Sequence, residues 1–298
     1  MTIATSEGWE AVGATRALCG EEIFTVDVPS IGPERHPPLL VLHGFPTSSF
    51  DYAAVLDGLR AGRRVLLFDM LGYGLSAKPD RAYTMALQAD VAMAFAEALG
   101  VDRLDLLTHD MGDTVGGELL ARRAEGSWPV EVTRRVVTNG SIYIAQAQLT
   151  SGQQLLLGLP DALLPDGIPI DEASLTRSLR DTFSAATPQV PDGWTADPVP
   201  PAAQQIVHGD GHRLLPRLIR YIEERRANER RFTGAIETDP SPLHVVWGLD
   251  DPIAVPSMVD TLLAARPDAS AVRLSRVGHY PMVEAPSRYL DAVLPGLG

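Results

Sequence analysis

Short apolar runs alternating with helical patterns predict an α/β protein with a doubly wound, mostly parallel sheet. Three observations carry that reading. The apolar runs are continuous, as in strands buried on both faces. Helical stretches lie between them. The alternation breaks once, from about residue 142 to about residue 231, where the pattern is helical with irregular connections. The chain has 298 residues, 45% of them apolar and 21% charged. That suffices for a sizeable core, as one large domain with an insertion, and argues against general disorder.

In chain order, Glu22 to Val28 reads as a strand through Ile23, Thr25, Val26 and Val28. Pro38 to Leu42 is the next, closed by His43-Gly44, and Arg64 to Phe68 follows. Met85 to Leu99 is helical, with Leu87, Val91, Ala94, Phe95 and Ala98 on one face and Gly100 as the stop. Leu104 to Leu107 and Arg135 to Val137 are further strands, and a helix runs between them to about Arg123. Within the helical block, Thr187 to Pro201 holds five prolines and reads as an ordered loop or linker. Arg213 to Arg231 reads as a helix. From Pro242 the rhythm returns: strand Leu243 to Trp247, helix Ser257 to Ala265, strand Ala271 to Leu274 and helix Pro286 to Leu294. Trp247 is read as strand core.

Composition narrows the function classes. A formal charge of -13 argues against a nucleic-acid or anionic-membrane partner, because phosphate contacts need Lys and Arg. Cys19 is the sole cysteine, which excludes an intramolecular disulfide framework and a cysteine-built zinc site. Met1 to Gly20 has neither a basic n-region nor a long apolar run, and no segment reaches the ~18 apolar residues of a membrane span, so a cytoplasmic location is expected. No metal and no cofactor are expected. His208 and His212 stand four apart, but two glycines make that segment a turn. Gly72-x-Gly74 lacks the third glycine of a dinucleotide fingerprint. The arginines at 225, 226, 230 and 231 alternate with glutamates and read as a solvated helix face.

Chemistry concentrates at strand ends. Thr108-His109-Asp110-Met111-Gly112-Asp113 follows a buried strand and opens a helix. A sharp strand-to-helix turn presents its apex residue, here Asp110, with Gly112 as the small neighbour. Thr108 stands where a glycine is usual. Taken alone, Asp110 reads equally well as a helix cap. After the next strand comes Gly248-Leu249-Asp250-Asp251, and after the last comes Gly278-His279. Nucleophile, acid and histidine thus occur in the order this arrangement requires, at the edge where open sheets place their sites. Asp251 is favoured over Asp250 for the acid. Phe45 and Met111 offer backbone N–H groups for an oxyanion, and Pro46 rigidifies its turn. His43, Pro46 and His109 beside these positions, with Trp194 from the proline-rich stretch, are the substrate-contact candidates.

His43-Gly44-Phe45-Pro46-Thr47-Ser48-Ser49, the Asp69 to Pro79 segment, His109-Asp110-Met111-Gly112 and Gly278-His279 together resemble the α/β-hydrolase superfamily, in its epoxide hydrolase and haloalkane dehalogenase branch. The first of these runs, the His109-Asp110-Met111-Gly112-Asp113 turn and Asn139-Gly140 are also similar to the mesoderm-specific transcript protein group. The resemblance implies an α/β-hydrolase core over 1–141 and 233–298 and a helical cap over 142–232.

An aspartate apex suits displacement at an sp3 carbon and disfavours a serine-type esterase. Hydrolysis of the resulting ester would use His279 as base, with Asp251 fixing the imidazole. The expected activity is epoxide hydrolysis to a vicinal diol on a small apolar substrate. Dehalogenation with the same nucleophile is the alternative. It lacks the Trp that resembling dehalogenases carry after the nucleophile, where Met111 stands, and position 45 is Phe. A non-catalytic binder on this fold is a third class. The epoxide reading needs an acid. Tyr221 falls beside Leu214, Leu218 and Ile222 on the apolar face of its helix and matches the family's C-terminal cap tyrosine. Tyr143 is the weaker candidate for the other. A homodimer is among the assemblies open to such a chain.

Overall fold

The computed structural model describes residues 3–298. Eight strands form one sheet in the order β1-β2-β4-β3-β5-β6-β7-β8. They are β1 Ala14–Leu18, β2 Glu21–Val28, β3 Leu39–Leu42, β4 Val65–Phe68, β5 Arg103–His109, β6 Glu131–Thr138, β7 Leu243–Gly248 and β8 Ser270–Leu274. β1, β2 and β4 pair antiparallel; β4, β3 and β5 through β8 pair parallel. Every residue of β3, β4 and β7 is buried, as continuous apolar runs require of central strands.

β1 has no counterpart among the expected strands. Its pattern is mostly exposed, so apolar periodicity cannot report it. It is held as a hairpin on β2 by Cys19 and Gly20, whose φ angles of 52° and 81° suit a two-residue turn matched to strand twist.

Helices Met85–Ala98, Met111–Ala124, Ser257–Ala265 and Pro286–Leu297 belong to the α/β alternation. Between β6 and β7 the chain leaves the sheet for helices Ser151–Gly158, Glu172–Arg180, Val199–Val207, Tyr221–Ala227 and Glu229–Thr238. The last runs through residue 232 and packs on Met111–Ala124. The helix expected over Arg213 to Arg231 is broken. A 3-10 turn covers His208–Leu214, Pro216 lies in the first turn of a four-residue helix Leu215–Leu218, and Asn228 leaves helical geometry at φ -125°. No helix among the described residues is long and apolar enough to cross a membrane.

Register places the site. Leu42 pairs with Thr108, His109 with Thr138, Thr138 with Val246, and Gly248 with Leu274. The carboxyl ends of β3, β5, β6, β7 and β8 therefore lie side by side, and the chain departs from β3 in both directions, the switch point where open sheets bind ligands.

Candidate active site

The strand-to-helix turn after β5 is strained. Asp110 has φ 51° and ψ -115°, a conformation costing a non-glycine residue about 1–3 kcal/mol. Two close approaches hold it. A Cβ on Gly112 would lie 2.4 Å from the Leu42 carbonyl oxygen, and one on Gly44 would lie 2.7 Å from the Asp110 Cβ. Thr108 is accommodated because Gly116 faces its methyl, and its hydroxyl donates to Asp113. The small-residue requirement has moved one turn into the helix.

Asp110 is buried, and its two oxygens differ. The Phe45 N–H donates to Oδ2 at 2.9 Å. Among the described residues Oδ1 has no hydrogen-bond partner, and it stands 4.0 Å from His279 Nε2. His279 Nδ1 donates to Asp251 Oδ2 at 2.8 Å. That carboxylate also accepts from Asn139 Nδ2 at 2.7 Å and, on Oδ1, from the N–H groups of Ile253 and Ala254 at 2.7 and 3.0 Å. Asp250 instead accepts from Ser184 Oγ. So Asp251, not its neighbour, meets the imidazole. Burial alone would lower the His279 pKa. The Asp251 charge and hydrogen bond outweigh it, and with Asp110 and Glu284 they raise it to about 9.

The remaining candidates divide. The Phe45–Pro46 bond is cis. Phe45 and Pro46 line a cavity of about 240 Å³ with Tyr280 and Ile253 on the core side and Leu156, Leu175, Leu179 and Leu215 opposite. Met111 follows Asp110 at the helix start, and its sulfur accepts from the Tyr73 hydroxyl at 3.2 Å. His43 has both ring nitrogens occupied: Nε2 accepts from the Met70 N–H and Nδ1 donates to the Gly44 carbonyl, each at 2.9 Å. It ties two loops together and does not face a substrate. His109 donates from Nδ1 to Thr138 O at 3.2 Å. Burial first, then the His279 charge, push its pKa down to about 3, so the ring is neutral. It packs 5.1 Å from the His279 ring, centroid to centroid.

Tyr221 is buried with its ring tilted 40° against Phe45 at 5.6 Å. Burial and then the Asp110 charge push its pKa well up, while Arg225 pulls it down. Tyr143 is not brought to Asp110. Its hydroxyl donates to Glu237 at 2.7 Å, on the helix beside the elbow helix. Trp194 is also spent elsewhere, donating its indole N–H to Val283 O at 3.1 Å and packing on Phe50. The arginine run is not uniformly solvated: Arg225 is 2% exposed, because it reaches back into the protein. Among the described residues no three His, Cys, Asp or Glu side chains converge as metal ligands.

Three further residues matter that motif spacing did not single out. Tyr280 packs on the His279 ring at 4.9 Å and donates to Phe45 O at 3.1 Å. Its adjacency to His279 was the only signal. Glu284 accepts from the backbone N–H groups of Gly278, Tyr280 and Ser184, binding the histidine loop to residues entering from the inserted block. Asn139, at φ 44°, fixes Asp251 and accepts from Gly248 N–H at 3.0 Å. It was visible only as half of an Asn-Gly turn.

LipZ of Mycobacterium tuberculosis is 37% identical to this chain over 267 residues, covering 88% of the chain and 89% of that protein. The mesoderm-specific transcript protein of Mus musculus is 31% identical over 303 residues, covering 96% and 86%. Among solved structures, haloalkane dehalogenase DbeA from Bradyrhizobium elkani superposes with a TM-score of 0.74 at 19% identity, over 95% of this chain and 96% of that one. Epoxide hydrolase CorEH does so with 0.71 at 16%, over 95% and 97%. At such identities the structures speak to the fold alone. The alpha/beta hydrolase family model matches residues 39–292, from the first residue of β3 into the last helix, and the chain belongs to that family.

Proposed function

We propose that this hydrolase opens an apolar epoxide to a vicinal diol through an ester on Asp110. One observation carries the reading: an aspartate, with one oxygen held by the Phe45 amide and the other without a hydrogen-bond partner among the described residues, occupies the apex of the strand-to-helix turn, and the buried Tyr221 packs on that same Phe45.

Asp110 Oδ1 attacks a ring carbon, and the carbon–oxygen bond opposite it breaks. Tyr221 gives its proton to the departing oxygen, leaving a phenolate and an alkyl ester. In that ester Oδ2 is the carbonyl oxygen, already held by the Phe45 N–H. Water, deprotonated by His279, adds to the ester carbon. The oxyanion forms at Oδ2, with Phe45 and Met111 N–H groups as its donors. Collapse releases the diol as His279 returns its proton to the leaving oxygen, and the new carboxylic acid restores the Tyr221 proton. Epoxide plus water becomes diol, and the protein is unchanged.

The charge state of His279 fits this order. With a pKa of about 9 it is an imidazolium at neutral pH, between two carboxylates. Esterification removes the Asp110 charge, so the imidazole pKa falls, its proton passes to solvent and a base appears when water must be activated; His279 regains a proton from solvent once the Asp110 carboxylate is restored.

Halide displacement is the second reading, raised by a relative named haloalkane dehalogenase 2 from Mycobacterium bovis, 26% identical over 267 residues. Side-chain N–H donors for a halide are what it needs. Position 111 is Met, position 45 is Phe, and the Trp194 N–H is occupied by Val283.

The test is diol formation from aliphatic, aromatic and cyclic epoxides, with halide release from matched chloroalkanes and bromoalkanes measured beside it. Diol from the parent and none from Asp110→Ala is the expected result. Halide release without diol would replace the first reading by the second.

A further inference from the structure

Arg225 lies outside the elbow, histidine and acid, and the mechanism above does not use it. It sits four residues after Tyr221 on the same short helix, so its side chain returns over the tyrosine. Nε donates to Thr114 Oγ1 at 2.7 Å, and Thr114 belongs to the helix that starts at Met111. Nη1 donates to Ser141 O at 2.7 Å, in the segment after β6. The guanidinium carbon stands 5.0 Å from the Tyr221 ring centroid. On the ring's other neighbour, Phe45, the backbone N–H holds Asp110. Nη2 is buried with no hydrogen-bond partner among the described residues.

We infer that Arg225 is a positioning residue for proton donation: it clamps the Tyr221 ring against Phe45, registers it to the helix carrying Asp110, and stabilises the phenolate that remains after the proton has left. This rests on the epoxide reading. Two physical effects combine. A planar cation anchored at two points holds a ring in place better than a single contact does. A cation over an aromatic face is attracted more strongly as that ring gains negative charge, so the interaction grows towards the transition state. Arg225 transfers no proton itself. The effect is therefore confined to ring opening and absent from ester hydrolysis, where Asp110, His279 and water act.

A double-mutant cycle with single-turnover kinetics on one epoxide separates these steps. Arg225→Gln is expected to slow alkylation of Asp110 about tenfold, the order a desolvated cation–ring contact supplies. Breakdown of the alkyl-enzyme should stay within about twofold of the parent. In a Tyr221→Phe background the same substitution should slow alkylation less than about twofold, because the group it acts through no longer ionises. Arg225→Lys keeps a cation but cannot bridge Thr114 and Ser141 together; it should show a smaller loss of the same kind, and it replaces the glutamine variant if that one does not fold. Equal slowing in both backgrounds, or equal slowing of both steps, overturns the inference and makes Arg225 a packing residue. A parent that forms no diol removes the epoxide reading and this inference with it. A parent that turns over with an additive cycle removes the inference alone.

Discussion

The two sides of the site are held by different means. On the core side every candidate catalytic group hangs from a strand end, and its polar partners are mostly backbone. Asp251 receives two N–H groups from its own loop, and Asp110 receives the Phe45 amide. The Glu284 carboxylate gathers three backbone amides around the histidine loop. On the inserted side, Tyr221 is placed by side chains: the Phe45 ring, and the Arg225 guanidinium with its anchor on Thr114. Backbone positions follow from sheet register, which cannot shift by part of a residue. Side-chain placement depends on packing between helices broken at Pro216 and Asn228. The contrast teaches that the positions of Asp110, Asp251 and His279 are fixed by the fold, whereas the position of Tyr221 is a local solution.

Five substitutions and one titration would sharpen or break that contrast. Asp110→Ala should abolish diol formation, a loss of at least about 10⁴-fold, since no other group forms the ester. Residual diol above background would mean that water attacks the epoxide directly. His279→Gln should slow ester hydrolysis by about 10²–10⁴-fold while leaving alkylation. The protein should then gain the mass of the epoxide, located on Asp110 by peptide mass spectrometry. Tyr221→Phe should slow alkylation by about 10²-fold with little change in KM, while Tyr143→Phe stays within about twofold of the parent. A large Tyr143 effect would move the acid to the other end of the insertion.

The smallest expected effect is on stability. His279 has a folded pKa near 9, above the ordinary value of 6.5. Its charged form therefore stabilises the fold fully below about pH 6.5, and that contribution is lost as pH rises through 9. Tm should fall by some degrees, on the order of 5 °C, between pH 7 and pH 10. Asp251→Asn, which removes the largest charge raising that pKa, should flatten the decline. An unchanged slope in that variant would assign the decline to other groups.

Much of the candidate site is legible in the sequence. Buried parallel strands need apolar runs at every position, and the site residues follow those runs at short intervals, so Asp110, Asp251, His279 and Phe45 could be placed by reading strand ends. The oligopeptide at 108–113 also carried the strained turn, because a helix start after a strand with Gly112 admits few conformations. Edge strand β1 was not legible, because its residues are mostly exposed and carry no apolar alternation. The break of the Arg213 to Arg231 helix was not legible either, since its apolar face continues through the kink.

What the sequence determined alone was the chemistry available at each strand end and the order in which it arrives. Only the tertiary structure decided which side chains meet across elements: Asp251 and not Asp250 on His279, Tyr143 on Glu237 and away from Asp110, Trp194 on Val283, His43 between two loops, and Arg225 over Tyr221. The physical reason is separation along the chain. A strand end is set by local pattern and register, while the last atoms of a long side chain are set by whatever packs beside them from distant residues, and periodicity carries no record of that.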